Sequence, residues 1–269
     1  LSLYNYINNN VNIFFNYNTM EVVTYANKSF GMFERLVDNP YGVNVRVLGW
    51  GTTWNGYQDK SKGLLEYLKR KHDDDIVVFV DGFDSEINRP LCNLPDLFKQ
   101  TKSKVLMSKD VHFGSGMFKP MSKSIFGDCH SNLIANAGMY MGYAKYLRIV
   151  LQDALRNTCS DDQVGFNKMC KKYPFIRVDV DEVIFKNIPP NQTKQQNEQA
   201  IFVSYPGSLN VDRVLRAIKE YTQFFYIKIM FVIGFLMFLF PKMRMKLTYL
   251  MIALTIYLFI FADTSCIKT

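Results

Sequence analysis

The stretch IVVFVDGFDSEIN, residues 76–88, constrains the fold more than any other. Its first five residues are β-branched or aromatic with no polar interruption. That pattern suits a strand buried on both faces of a parallel sheet rather than one alternating between core and solvent. Ligands of open α/β sheets bind beyond the carboxyl ends of such strands, and this end carries Asp81 and Asp84. An aspartate after a strand is ordinary turn chemistry, accepting from backbone N–H groups. Two of them so close repel each other unless a hard divalent cation, Mn2+ or Mg2+, lies between, and phosphate is the common partner of that ligand set. The pair is therefore a candidate metal site set against a turn-capping alternative.

The chain around this strand alternates in character. Strands are expected at Glu21 to Ala26, Asn44 to Leu48, Ile76 to Val80, Lys104 to Ser108 and Ile201 to Ser204, and helices near 60–71, 144–156, 161–172 and 210–220. Such alternation argues for an α/β fold with a mostly parallel sheet. A chain of 269 residues, 48% hydrophobic and 21% charged, can bury one full-sized core, which excludes disorder as its class. Of the net +8, residues 221–269 hold +4, five Lys or Arg against one Asp. No basic, aromatic-interleaved stripe appears in the remainder, so nucleic acid is not the expected partner. The five cysteines, Cys92, Cys129, Cys159, Cys170 and Cys266, lack C-x-x-C spacing and argue neither for zinc nor for a disulfide framework.

Both ends stand apart from this pattern. Apolar runs at 224–240 and 247–262 flank the basic turn PKMRMK. A two-helix membrane hairpin is expected there, with a pair of buried core helices as the alternative. Each run is a little short of the roughly 20 residues that cross a bilayer, and Lys228 interrupts the first. Lys242, Arg244 and Lys246 on one side are matched by Arg213, Arg216 and Lys219 on the other, leaving orientation open. Residues 1–19 have neither the basic n-region nor the compact apolar core of a signal peptide. They read as a non-native or disordered extension before Met20, the expected natural start. The resulting division is 1–19 extension, 20–222 catalytic-type domain, 223–262 hydrophobic segments and 263–269 polar tail.

Three further stretches surround the aspartates with candidate site residues. GWGTTWNG, 49–56, places Trp54 in a Gly-rich loop after a strand, where an indole either stacks on a planar base or covers the core edge. IANAGMYMGYA, 134–144, packs small residues around Asn136 and Gly138, consistent with close approach of backbone to a ligand or with a strand bulge. CSDDQVGF, 159–166, sets Asp161 and Asp162 at a helix amino end, where capping accounts for one acid and leaves the second unexplained.

In this order the motifs resemble the glycosyltransferase domain of the lysyl hydroxylase (procollagen-lysine hydroxylase) family and the related transferase-like proteins of large DNA viruses of insects. The likeness runs from about Met20 to Gly207 through VVTYA, LGWGTTWNG, FVDGFD, NAGMYMGYA, SDDQ and IFKN. It implies a GT-A-type, Rossmann-like fold and a UDP-sugar donor with Mn2+ or Mg2+. Asp81 and Asp84 would be metal ligands, and Phe83 would lie against uracil where the family usually has Tyr. Trp54 would take the nucleotide-side loop, Tyr25 and Asn27 the end of the first strand, and either Lys60 or Lys62 the lysine near the phosphates. Asn136 and Gly138 would line the donor cleft, with Asp161 and Asp162 facing sugar and acceptor. The family's metal-binding histidine near the domain's end is replaced in VSYPGS by Ser204 or Tyr205, and its tryptophan after the fourth strand by Phe113 or Gly114. Two functional readings follow. One is a membrane-anchored, metal-dependent transferase moving a hexose from a UDP-sugar to a protein or glycan hydroxyl; the other is a transferase fold without turnover, acting as a membrane-attached binding module. The family's chemistry implies the secretory lumen. There the sequon at Asn191, but not the one at Asn27 inside the cleft, is expected to carry a glycan.

Overall fold

Every side chain of β3 (Ile76–Val80) is buried, because both faces of its sheet are covered. Val77 and Phe79 point to one face, where they join Val23, Leu64, Leu68, Tyr140, Leu147 and Phe166. Ile76, Val78 and Val80 point to the other, with Leu36, Leu94, Phe98, Met141 and Phe202. The five buried apolar side chains represent on the order of 10 kcal/mol of gross hydrophobic stabilisation before chain entropy is subtracted.

The computed structural model describes residues 20–111, 123, 126–157, 161–189, 193–206, 230 and 232–261. Residues 1–19, Phe113, Gly114, Asn191, and the helix expected at 210–220 lie outside the described residues. The main sheet also contains β1 (Met20–Tyr25), β2 (Val45–Leu48), β5 (Val105–Lys109), β6 (Ala135–Tyr143) and β7 (Ile176–Asp179). Its order is β2-β1-β3-β6-β5-β7. β1 is parallel to β2 and β3, and β5 to β7, whereas β6 runs antiparallel to both β3 and β5. A smaller sheet, β4-β9-β8, is formed by β4 (Ser85–Ile87), β8 (Phe185–Asn187) and β9 (Phe202–Ser204). The helices are α1 (Phe33–Val37), α2 (Gln58–Leu68), α3 (Leu94–Gln100), α4 (Ala144–Asn157), α5 (Asp162–Lys172) and α6 (Arg244–Phe261). The fold is thus α/β with a mostly parallel sheet, as its alternating pattern requires.

Two features depart from expectation. Cys129 and Cys170, 41 residues apart, form a disulfide that joins the segment before β6 to the last turns of α5. At the other end, residues 232–239 are helical, Pro241–Met243 form a single tight turn and α6 follows. Apolar side chains of this region face outward, with Phe238 75% and Met245 71% exposed. Among the described residues no helix is long and apolar enough to cross a membrane. The spanning hairpin expected over 224–262 therefore has no support in the structure, and residues 224–229 of its first arm lie outside the described residues.

Candidate active site

The D-x-x-D turn sits where β3 leaves the sheet. Asp81 N–H donates to Gly138 O at 2.7 Å, extending the antiparallel ladder of β3 and β6 by one rung. Gly82 is required by crowding, since a Cβ there would lie 2.9 Å from Thr24 Oγ1 and 3.2 Å from Tyr25 O. Gly138 is constrained similarly: its N–H donates to Asn136 Oδ1 at 2.8 Å, and an added Cβ would lie 2.9 Å from that oxygen. The bulge reading of this stretch is met by the β5–β6 register, which shifts between Met107 and Ser108, opposite Tyr140 and Asn136.

Three carboxylates and one ammonium gather beyond this turn. Lys60, in the first turn of α2, places Nζ 3.1 Å from Asp81 Oδ2 and 3.0 Å from Asp162 Oδ2. Its side chain is only 10% exposed. Burial of the ammonium works against its charge, but Asp162 and then Asp81 outweigh it and hold the Lys60 pKa well above the ordinary lysine range. Asp84 has the opposite balance. Burial, then the neighbouring charge of Asp81, pushes its carboxyl up to about 7 against the lowering effects of Lys60 and of two hydroxyls. Those hydroxyls are Ser204 Oγ and Ser85 Oγ, which donate to Asp84 Oδ1 at 3.2 and 3.4 Å.

The structure separates residues that the sequence left in pairs. Lys60 enters the site, whereas Lys62 is exposed on α2. Asp161 is the N-cap of α5, accepting from Gln163 N–H at 2.7 Å and Val164 N–H at 3.3 Å. Asp161, expected to face sugar and acceptor with Asp162, uses Oδ1 to cap its own helix, and of the two acids Asp162 is the one paired with Lys60. Ser204 stands beside Asp84, while Tyr205 donates its hydroxyl to Glu86 Oε1 at 2.8 Å. Asn136 lies between Asp110 and Gln163, with Nδ2 3.3 and 3.4 Å from their side-chain oxygens.

Aromatic groups lie at or just beyond the ends of β1, β2 and β3. Tyr25 and Trp54 have ring centroids 6.0 Å apart, and Phe83 meets Phe30 edge-on at 5.7 Å. Tyr25 is fixed by Thr52, 3.2 Å from its hydroxyl, and a Cβ on Gly63 would lie 2.7 Å from its ring. Asn27 has a fastening position instead of a free one, since Nδ2 donates to Thr52 O at 3.2 Å and its carbonyl accepts from Gly51 N–H at 2.9 Å. Sequence reasoning missed Tyr140. It is buried beneath the cluster, where burial and then Asp162 push its hydroxyl pKa far up. Attention in that stretch went to the small residues around Asn136 and Gly138.

Among the described residues no group of three or more His, Cys, Asp or Glu could hold a metal ion. What is present is an all-oxygen set, Asp81 and Asp84 with the Ser204 hydroxyl. That chemistry fits a hard divalent cation completed by ligand oxygens and not a closed protein cage.

The family match makes this α/β sheet with its acidic turn a glycosyltransferase domain. Residues 16–201 match the model of the PLOD GT domain, and the chain belongs to that family. It is 25% identical over 167 residues to the procollagen-lysine,2-oxoglutarate 5-dioxygenase of Drosophila melanogaster, covering 55% of this chain and 22% of that protein. Over 188 residues it is 24% identical to the multifunctional procollagen lysine hydroxylase and glycosyltransferase of Caenorhabditis elegans, covering 62% and 25%. The chain thus spans about a quarter of the length of these curated relatives. A galactosyltransferase LgtC structure, in complex with donor and acceptor sugar analogues, superposes with a TM-score of 0.45 at 12% identity over 76% of this chain and 95% of that one.

Proposed function

We propose that this domain transfers a hexose from a UDP-sugar to a hydroxyl of a protein or glycan acceptor, with Mn2+ or Mg2+ held by Asp81 and Asp84. The observation that carries the reading is the convergence of Asp81, Asp84, Asp162 and Lys60 beyond β3. A bound cation supplies charge neutralisation for the leaving diphosphate. Lys60 supplies a permanent positive charge on the same side, and the amino ends of α2 and α5 favour anions there. Trp54, Tyr25 and Phe83 form the base-facing wall, and Asn136 and Gly138 the floor. Asp162 orients the attacking hydroxyl and accepts its proton.

The test is UDP binding and UDP-sugar hydrolysis by the purified domain with and without Mn2+. Asp81→Asn and Asp84→Asn keep side-chain size and remove charge, so each should abolish metal-dependent UDP binding while leaving thermal unfolding cooperative. Retained Mn2+-dependent UDP affinity in both variants would refute the site. Ser204 beside Asp84, where the family has histidine, favours a second reading in which donor binds but is not turned over. UDP binding without hydrolysis or transfer to any acceptor would select it.

The compartment we propose is the secretory lumen, a reading supported by the Cys129–Cys170 disulfide, since such bonds persist in oxidising compartments. Protection from protease in sealed microsomes, lost on adding detergent, is the expected result. Attachment to membrane through the tail is supported by the outward apolar side chains within 232–256. Flotation of the full chain with lipid vesicles tests it.

A further inference from the structure

We infer that Lys60 is an exchangeable counter-ion: without donor it neutralises the Asp81 carboxylate that a divalent cation would share, and an incoming diphosphate draws it away. This rests on the function proposed above and adds an order of events to it. Lys60 Nζ lies 3.1 Å from Asp81 Oδ2, while Asp81 Oδ1 receives only a long contact, 3.4 Å, from Phe83 N–H. The ammonium is therefore the principal partner of that carboxylate. It is also held from the far side, 3.0 Å from Asp162 Oδ2. Releasing Asp81 consequently does not leave a buried charge without a partner, which would otherwise forbid the exchange.

The position of Lys60 gives the exchange a direction. In the first turn of α2 a cation opposes the helix dipole, so its placement there depends on nearby anions. With Asp81 and Asp84 formally balanced by a divalent cation, the positive charge of Lys60 becomes available to the diphosphate and Asp162. Metal and lysine thus compete for Asp81 in the donor-free domain and cooperate once diphosphate is present.

Lys60→Met retains the length of the buried stem and removes the competing charge. Titrated with Mn2+ alone, this variant should bind at least about tenfold more tightly than wild type, because one nearby positive charge no longer opposes the metal. Titrated with UDP at saturating Mn2+, it should bind about tenfold more weakly, having lost a charge-assisted contact. The Mn2+-dependent rise in Tm reads the same metal affinity if the metal-free variant is marginally stable. Asp162→Asn provides a second arm that keeps Lys60 in place. With one anchor neutral, Lys60 grips Asp81 harder, so Mn2+ affinity should fall more without UDP than with it. Opposite shifts of Mn2+ and UDP affinity in the first variant, and an unequal fall in the second, are the supporting results. Unchanged or weaker Mn2+ binding by Lys60→Met, unchanged UDP affinity, or an equal fall in Asp162→Asn overturns the exchange and leaves the proposed function standing. A wild-type domain that binds neither Mn2+ nor UDP overturns both.

Discussion

Asp161 and Asp162 are neighbours with different duties, and substitution can tell them apart. Asp161 caps α5, so Asp161→Ala should lower stability by about 1 kcal/mol, while Asp161→Asn, itself a good cap, should change Tm little. Neither should reduce specific activity at low temperature. Asp162→Asn should instead lower turnover more than UDP affinity, since the proposed duty of Asp162 is toward the acceptor hydroxyl. Thermal melts and steady-state kinetics on the same preparations separate these outcomes. The sequence exposed the pair, yet it could not say which acid turned inward. That choice depends on the one-residue offset between cap and helix, which a string of letters does not reveal. Lys60 against Lys62 and Ser204 against Tyr205 are the same problem in a helix and at a strand end: two residues apart on α2, or one apart where β9 ends, the side chains point to different surroundings.

At the scale of elements, continuous apolar runs were legible as strands, and strands broken by polar or small residues were not. β3 matches its expected bounds, and β1, β2, β5 and β9 fall within one residue of theirs. β4, β7 and β8 are short and each carries a charged residue near its centre, so no apolar run registers, and β6 was read as a run of small residues. β6 shows why such residues were needed. A Cβ at Gly142 would lie 2.7 Å from Lys104 O and 3.1 Å from Val105 Cα, both backbone atoms that cannot turn aside. Gly142→Ala should therefore destabilise the domain by about 2 kcal/mol or more, read by urea denaturation. β1 is fastened to α2 through Glu21, which accepts from Tyr67 and Lys71. Burial raises the Glu21 pKa, but these two bonds outweigh it and hold it below the ordinary glutamate value. A depressed carboxyl stabilises the fold above its unfolded pKa, and the contribution is lost as pH falls through the folded value. Glu21→Gln should accordingly flatten the acid side of the Tm profile below about pH 4.5, by no more than about 1 kcal/mol for a pair this accessible to solvent.

For the whole molecule, the disulfide was invisible in cysteine spacing because its partners meet only after β6 and α5 have packed. Replacing Cys129 and Cys170 together by Ser should cost about 4 kcal/mol in the chain-entropy account of a loop this long, measured as a shift in denaturation midpoint. Strand order has a consequence for how the chain is made. β3 and β5 are both complete by residue 109, yet they never touch; β6, ending at residue 143, must slide between them. On a translating ribosome the sheet therefore exists as separate pieces whose inner edges stay open until the inserting strand emerges, and open edges invite pairing with other chains. A ribosome-bound nascent chain stalled with residues 20–134 outside the exit tunnel should be captured by chaperones and digested readily by protease. One stalled with residues 20–206 outside should resist digestion.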